Sequence, residues 1–169
     1  MLSLKLIRSP TVRTTMKAEY KFAYETYDSL SELSEMDAEL VNAERNAATT
    51  KSHAPYSGYR VGAAARLDNG QIITSSNQES EVFPAGLCAE RILLFTHMAS
   101  GSTNKITDMA IASMPGTTEC YPCGGCRQVL MDTMVRQKSP FRIIMASEHS
   151  ATVVASPADL MPFAFHLKH

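Results

Sequence analysis

The chain has 169 residues, 44% of them hydrophobic, enough for a full core, and this length favours one globular unit over two. A formal net charge of −1 and the lack of any Lys/Arg run exclude the cationic stripe that nucleic-acid binding requires, so no long polyanion is expected as a partner. Nothing approaches the roughly 18 uninterrupted apolar residues of a membrane span, since residues 92–95 are soon followed by His97 and Ser100.

Residues 1–15 carry Lys5, Arg8 and Arg13, several Ser and Thr and no acid, a composition resembling that of organellar targeting segments, while the apolar run is too short for secretion. The expected reading is a disordered or misassigned start over 1–15, followed by a single domain over 16–169. Residues 16–27 alternate, with Tyr20, Phe22 and Tyr24 on one face and Lys21, Ala23 and Glu25 on the other, which predicts an added edge strand. Met36, Leu40, Ala43 and Ala47 then form a helical apolar stripe, with Glu35, Glu39 and Arg45 left for solvent. Ser34 is the expected N-cap, and Asp37 stands where a carboxylate can reach back to the cap amide. After the turn at Ala54-Pro55-Tyr56-Ser57-Gly58, residues 61–67 and 71–75 flank Asp68-Asn69-Gly70 and predict an antiparallel hairpin. Residues 84–100 read as a loop entering a helix, 106–113 as a buried strand, 124–135 as a helix and 141–145 as a further strand. Strands alternating with helices imply a layered α/β sheet.

Of the four cysteines, Cys120, Cys123 and Cys126 crowd within seven residues, and with no secretory feature in the chain this spacing suits a metal better than disulfides. Pro122-Cys123-Gly124-Gly125-Cys126 begins one predicted helix, and Cys88 lies at the start of another. Two converging helix N-termini, each equivalent to roughly half a positive charge, would keep three sulfurs deprotonated and able to bind Zn²⁺. Three protein ligands leave the fourth tetrahedral position open to water, as in catalytic zinc sites. Zinc lowers the pKa of such a water from about 15.7 to about 7. Three thiolates give the site a formal −1 charge, so nearby positive charge is required, and Arg91 is the candidate donor to the sulfurs. Glu90, two residues after Cys88, is close enough to reach the water without binding the metal and is the natural proton carrier.

The segments Tyr56-Ser57, Val61-Gly62-Ala63-Ala64, Asn77-Gln78-Glu79, Cys88-Ala89-Glu90-Arg91 and Pro122-Cys123-Gly124-Gly125-Cys126-Arg127-Gln128, in this order, resemble the short-chain cytidine deaminase family over about two-thirds of the chain. The resemblance implies a three-layer α/β/α sandwich around a mixed β-sheet. It implies a zinc-dependent hydrolysis of cytidine and deoxycytidine to uridine and deoxyuridine plus ammonia, in pyrimidine salvage, with Glu90 protonating N3 and then the departing amine. Asn77 and Glu79 would hydrogen-bond the ribose, the Ala89 amide would meet the base carbonyl, and Tyr59 would line the nucleoside pocket. Family members usually have Phe at the position of Tyr59, Asn at that of Ser80 and Gly at that of Phe163. Leu160-Met161-Pro162-Phe163-Ala164-Phe165 resembles the segment whose last aromatic enters a neighbouring subunit's site, which implies a homotetramer with Phe165 as a substrate contact. A cytoplasmic location is expected.

Other readings remain open at this point. Cys120 completes a C-x₂-C-x₂-C run that, with Cys88, is similar to iron–sulfur spacing, and the four cysteines could equally close a structural zinc module. Neither explains Glu90 or the Asn77/Glu79 pair. Deaminases of deoxycytidylate or of a base within RNA usually place His where Cys88 stands. A blasticidin-type deaminase is disfavoured because Asn77-Gln78-Glu79 keeps the nucleoside-binding pattern.

Overall fold

The computed structural model describes residues 17–166. The expected start over 1–15 therefore lies outside the described residues. Among them, six strands form one mixed sheet: β1 (Tyr24–Tyr27), β2 (Arg60–Leu67), β3 (Ile72–Ser76), β4 (Ile106–Met114), β5 (Arg142–Ala146) and β6 (Ala151–Val154). The order across the sheet is β1-β6-β5-β4-β2-β3, and only the β4–β5 pair is parallel. Three helices, α1 (Glu35–Lys51), α2 (Ala89–Ala99) and α3 (Gly124–Gln137), cover its faces.

Strand alternation decides which helix meets which residues. Val61, Ala63 and Ala65 of β2, with Met109 and Ile111 of β4 and Ile143 and Met145 of β5, pack with Leu93, Leu94 and Leu130 of α2 and α3. The intervening Ala64, Ala110, Ala112, Ile144 and Ala146 pack with Leu40 and Val41 of α1. The sheet is thus the middle of three layers, as the family resemblance implied. The small residues facing α1 allow a close approach. At Gly62, an added Cβ would collide with the Glu44 carbonyl oxygen and lie 2.8 Å from the Ala48 nitrogen, so the position has room only for hydrogen.

Helix α1 starts as predicted, with the Ser34 hydroxyl accepting from the Asp37 amide at 3.1 Å. The Asp37 carboxylate does not return to the cap. Both its oxygens are taken by Arg142, at 3.0 and 3.1 Å, and the same guanidinium reaches Asp108 at 2.9 Å. The buried stripe is also rotated from the expected one: Asp37, Leu40, Val41, Glu44, Ala47 and Ala48 face inward, and Met36 is exposed.

The hairpin forms between β2 and β3, with Gly70 at φ 84 and its amide donating to the Leu67 carbonyl at 2.8 Å. Such a left-handed residue closing the turn is why glycine stands there. Of the strand predicted over 16–27, residue 16 lies outside the described residues and the strand among the rest runs only over Tyr24–Tyr27, an edge strand paired with β6. β6 itself, four residues after β5 in an antiparallel return, is an element the periodicity did not reveal. Among the described residues, no helix is long and apolar enough to cross a membrane.

Candidate zinc centre

The parallel β4–β5 pair requires a crossover, and α3 supplies it, so the loop after β4 delivers Cys123 and α3 to one end of the sheet. α2 follows the loop after β3 and brings its own N-terminus to the same place. Cys88 is the N-cap residue of α2 and Cys123 that of α3, and neither cap residue bonds its helix through its side chain. Both sulfurs are thereby left to the site. The Sγ atoms of Cys88, Cys123 and Cys126 all lie within 4.8 Å of one another, and Cys123 and Cys126 are 3.5 Å apart. Ligands about 2.3 Å from a tetrahedral zinc stand about 3.8 Å from each other, so the three sulfurs fit that ion closely. Cys120 is not a member of this group. It is buried, its thiol is pushed up to about 11 by burial, and it accepts from the Tyr59 hydroxyl at 3.7 Å. The four-cysteine alternatives therefore lack their fourth ligand.

The electrostatics favour a thiolate at Cys88. The adjoining Cys126 thiol, and after it Arg91, hold Cys88 below the ordinary thiol range, while Cys126 is raised by its bond to Cys88. Arg91 Nη2 lies 3.7 Å from Cys88 Sγ, as the charge balance of a three-thiolate site requires. Glu90 follows one step into α2 and is almost completely buried. Burial raises its pKa, and the neighbouring Cys88 charge adds to the effect. Its carboxyl thus faces the sulfurs in a water-poor setting.

Beside this centre is a cavity of about 460 Å³ lined by Asn77, Glu79, Phe83, Leu87, Cys88 and Arg91, among others. Glu79 accepts from the Tyr56 amide at 2.8 Å and the Ser57 amide at 3.3 Å, and from the Ser57 hydroxyl. The Ser57 hydroxyl, then the Tyr56 amide, hold its carboxyl below the usual range. Asn77 accepts from Val61 N at 2.8 Å and Ser52 Oγ at 2.5 Å and donates to the Tyr59 carbonyl at 2.8 Å, which leaves one amide hydrogen uncommitted. Ser52 and Ser57 are the participants that motif reading passed over, although Ser57 stands in the Tyr56-Ser57 segment. Ala89 is the first residue of α2, where a helix amide has no intrahelical acceptor. Its carbonyl is held by Ser75 Oγ at 2.6 Å.

Tyr59 does not border this cavity within one chain. Its hydroxyl, absent from the usual family residue, is turned to Cys120 and Ser113. Phe165 likewise does not border this cavity within one chain; it lines a groove between α2 and α3 with Phe95 and Gln128.

A three-sulfur metal site at two helix N-termini, with a buried carboxyl one residue into the helix and a cavity alongside, defines a zinc hydrolase of the deaminase type. Residues 35–139 match the family model described as the cytidine and deoxycytidylate deaminase zinc-binding region, and the chain belongs to that family. A cytidine deaminase of Sporosarcina psychrophila is 30% identical over 130 residues, covering 77% of this chain and 92% of that protein. One from Halalkalibacterium halodurans is 34% identical over 98 residues, 57% of this chain and 72% of that protein. The crystal structure of cytidine deaminase from Burkholderia pseudomallei aligns with a TM-score of 0.67 at 30% identity, over 75% of this chain and 97% of that one. That from Mycobacterium tuberculosis gives 0.60 at 28% identity, over 76% and 96%.

Proposed function

We propose that the protein converts cytidine and deoxycytidine, with water, to uridine and deoxyuridine and ammonia, and that Cys88, Cys123, Cys126 and Glu90 carry the reaction. The observation that carries this reading is the placement of a buried Glu90 carboxyl against a cluster of three sulfurs suited to zinc. Zinc held there supplies an activated water at neutral pH. Glu90 takes one proton from the attacking water and places it on N3 of the cytosine ring as the water oxygen bonds to C4, then carries the remaining hydroxyl proton to the amine as the C4–N bond breaks. Burial raises its pKa, which makes its carboxylate a stronger acceptor for the proton it must take up. Arg91 offsets the excess negative charge of the thiolates.

Asn77 and Glu79 take the ribose hydroxyls, and their own bonds to the β2 entry and to Ser57 hold them ready. The Ala89 amide meets the base carbonyl. Tyr59 positions the nucleoside through its ring, with its hydroxyl anchored on Cys120. The full assembly is a cytoplasmic homotetramer in which Phe165 of one copy completes the site of another. Support comes from the exposure of Phe83, Phe163 and Phe165, at 74%, 93% and 68%, which a lone chain leaves facing water.

A panel of cytidine, deoxycytidine, cytosine and deoxycytidylate, followed by loss of the amine chromophore, tests the reading. Conversion of the two nucleosides, with the free base and the monophosphate far slower, is expected. No conversion of any of them, in protein containing zinc, refutes it.

A further inference from the structure

We propose that Arg127 and Gln128 are positioning residues that brace the metal-binding loop against the C-terminal segment 160–165. The proposal rests on the zinc reading above and concerns the two residues that follow Cys126.

Arg127 uses one guanidinium to tie two distant pieces of backbone. Its Nε donates to the Pro122 carbonyl at 2.9 Å and its Nη1 to the Leu160 carbonyl at 3.2 Å. Pro122 immediately precedes Cys123 and has no amide hydrogen, so its carbonyl is its sole backbone handle. The loop is fixed upstream by the Cys120 amide, which donates to Ala146 at 3.1 Å. Between that bond and α3, Arg127 sets where the Cys123 sulfur is delivered.

Gln128 closes a reciprocal pair with Phe165, its Nε2 donating to the Phe165 carbonyl at 2.9 Å and its Oε1 accepting from the Phe165 amide at 3.0 Å. The remaining amide hydrogen goes to Asp132 at 2.9 Å. Residues 161–166 contain no helix or strand, so their backbone has few other fixed partners. Three bonds from two consecutive side chains thus clamp the C-terminal segment to the first turn of α3, the turn that carries Cys126. Position along the tail and position of the ligand loop become one mechanical unit. Coupling of this kind is reciprocal: whatever the clamp contributes to holding zinc, zinc contributes to holding the clamp.

Zinc release from the holoprotein into excess chromogenic chelator measures the first half of the coupling. Arg127→Ala is expected to release zinc about 10–100-fold faster than the unaltered protein. Arg127→Lys, able to keep one of the two bonds, is expected to fall between, and Arg136→Ala in the last turn of α3 to release at the unaltered rate. Equal release from Arg127→Ala and Arg136→Ala overturns the proposal. The other half needs no variant. Amide exchange over residues 160–166 in the full chain is expected to speed up when zinc is stripped, and unchanged exchange also overturns it. A purified protein that takes up no zinc at all refutes the metal reading itself, and the same assay shows this before any variant is compared.

Discussion

Replacing Glu44 with glutamine is expected to stabilise the protein, and by more as pH rises. Glu44 is wholly buried between α1 and the sheet, and neither carboxyl oxygen has a hydrogen-bond partner among the described residues. Burial pushes its pKa from 4.5 to about 9, and the opposing influence of the neighbouring Arg45 charge is smaller. Between these two values the unfolded chain has ionised the carboxyl and the folded chain has not. Folding must then take up a proton, so stability is lost with rising pH at about 1.4 kcal/mol per pH unit, until the folded carboxyl ionises. The accumulated cost is about 1 kcal/mol at pH 5.5, about 3 at pH 7 and about 5 at pH 8.5. Glutamine has the same shape and nothing to ionise, so Glu44→Gln recovers that cost. Urea unfolding of both proteins across this range, at equal zinc, reads the difference, from which the titration of the cysteine site cancels. A difference that does not grow with pH, or a variant less stable than the parent throughout, refutes the reasoning.

Three further changes probe other parts of the structure. Gly62→Ala drives a methyl group into the backbone of α1 at Glu44 and Ala48, so a loss of about 1–3 kcal/mol or more is expected in the urea midpoint, and an unchanged midpoint contradicts the close helix–sheet packing. Arg142→Ala leaves Asp37 and Asp108 without their shared cation; with that side chain 40% exposed, solvent screening limits the loss to about 1 kcal/mol, read as a fall in Tm of a few degrees. Arg91→Ala removes the cationic donor to Cys88, and a chelator competition should show zinc affinity weakened about 10–100-fold; unchanged affinity counts against the charge balance of the three-thiolate site.

The chemistry was more legible in the chain than the packing. Cys88, Glu90, Cys123 and Cys126 stand at helix starts set by local spacing, and the structure brings the three sulfurs together at one end of the sheet. Ser34 and Gly70 were equally readable, because a cap and a left-handed turn depend on their immediate neighbours. Inward-facing polar residues were not. Glu44 sits in the middle of the buried stripe of α1, and a carboxylate at that position reads as solvent-facing until tertiary packing fixes the helix rotation. The same rotation exposes Met36. Asp37 left the capping box because Arg142, more than a hundred residues later, offers a bidentate partner that no local pattern displays. β6 was missed for a related reason: four residues that return directly beside β5 are too short to show a period. Likewise, the Tyr59 hydroxyl finds Cys120 only because β2 and β4 are neighbours in the sheet, which sets the residue before β2 beside the loop after β4.

The most direct test of the central claim is ammonia release from cytidine by Glu90→Gln, measured together with its zinc content. The variant is expected to keep one zinc per chain, because Glu90 is not among the clustered sulfurs, and to lose at least about 100-fold in turnover, because glutamine cannot take up and release the proton. A zinc-loaded variant that still turns over within about tenfold of the parent would contradict the assignment of the proton transfers to Glu90.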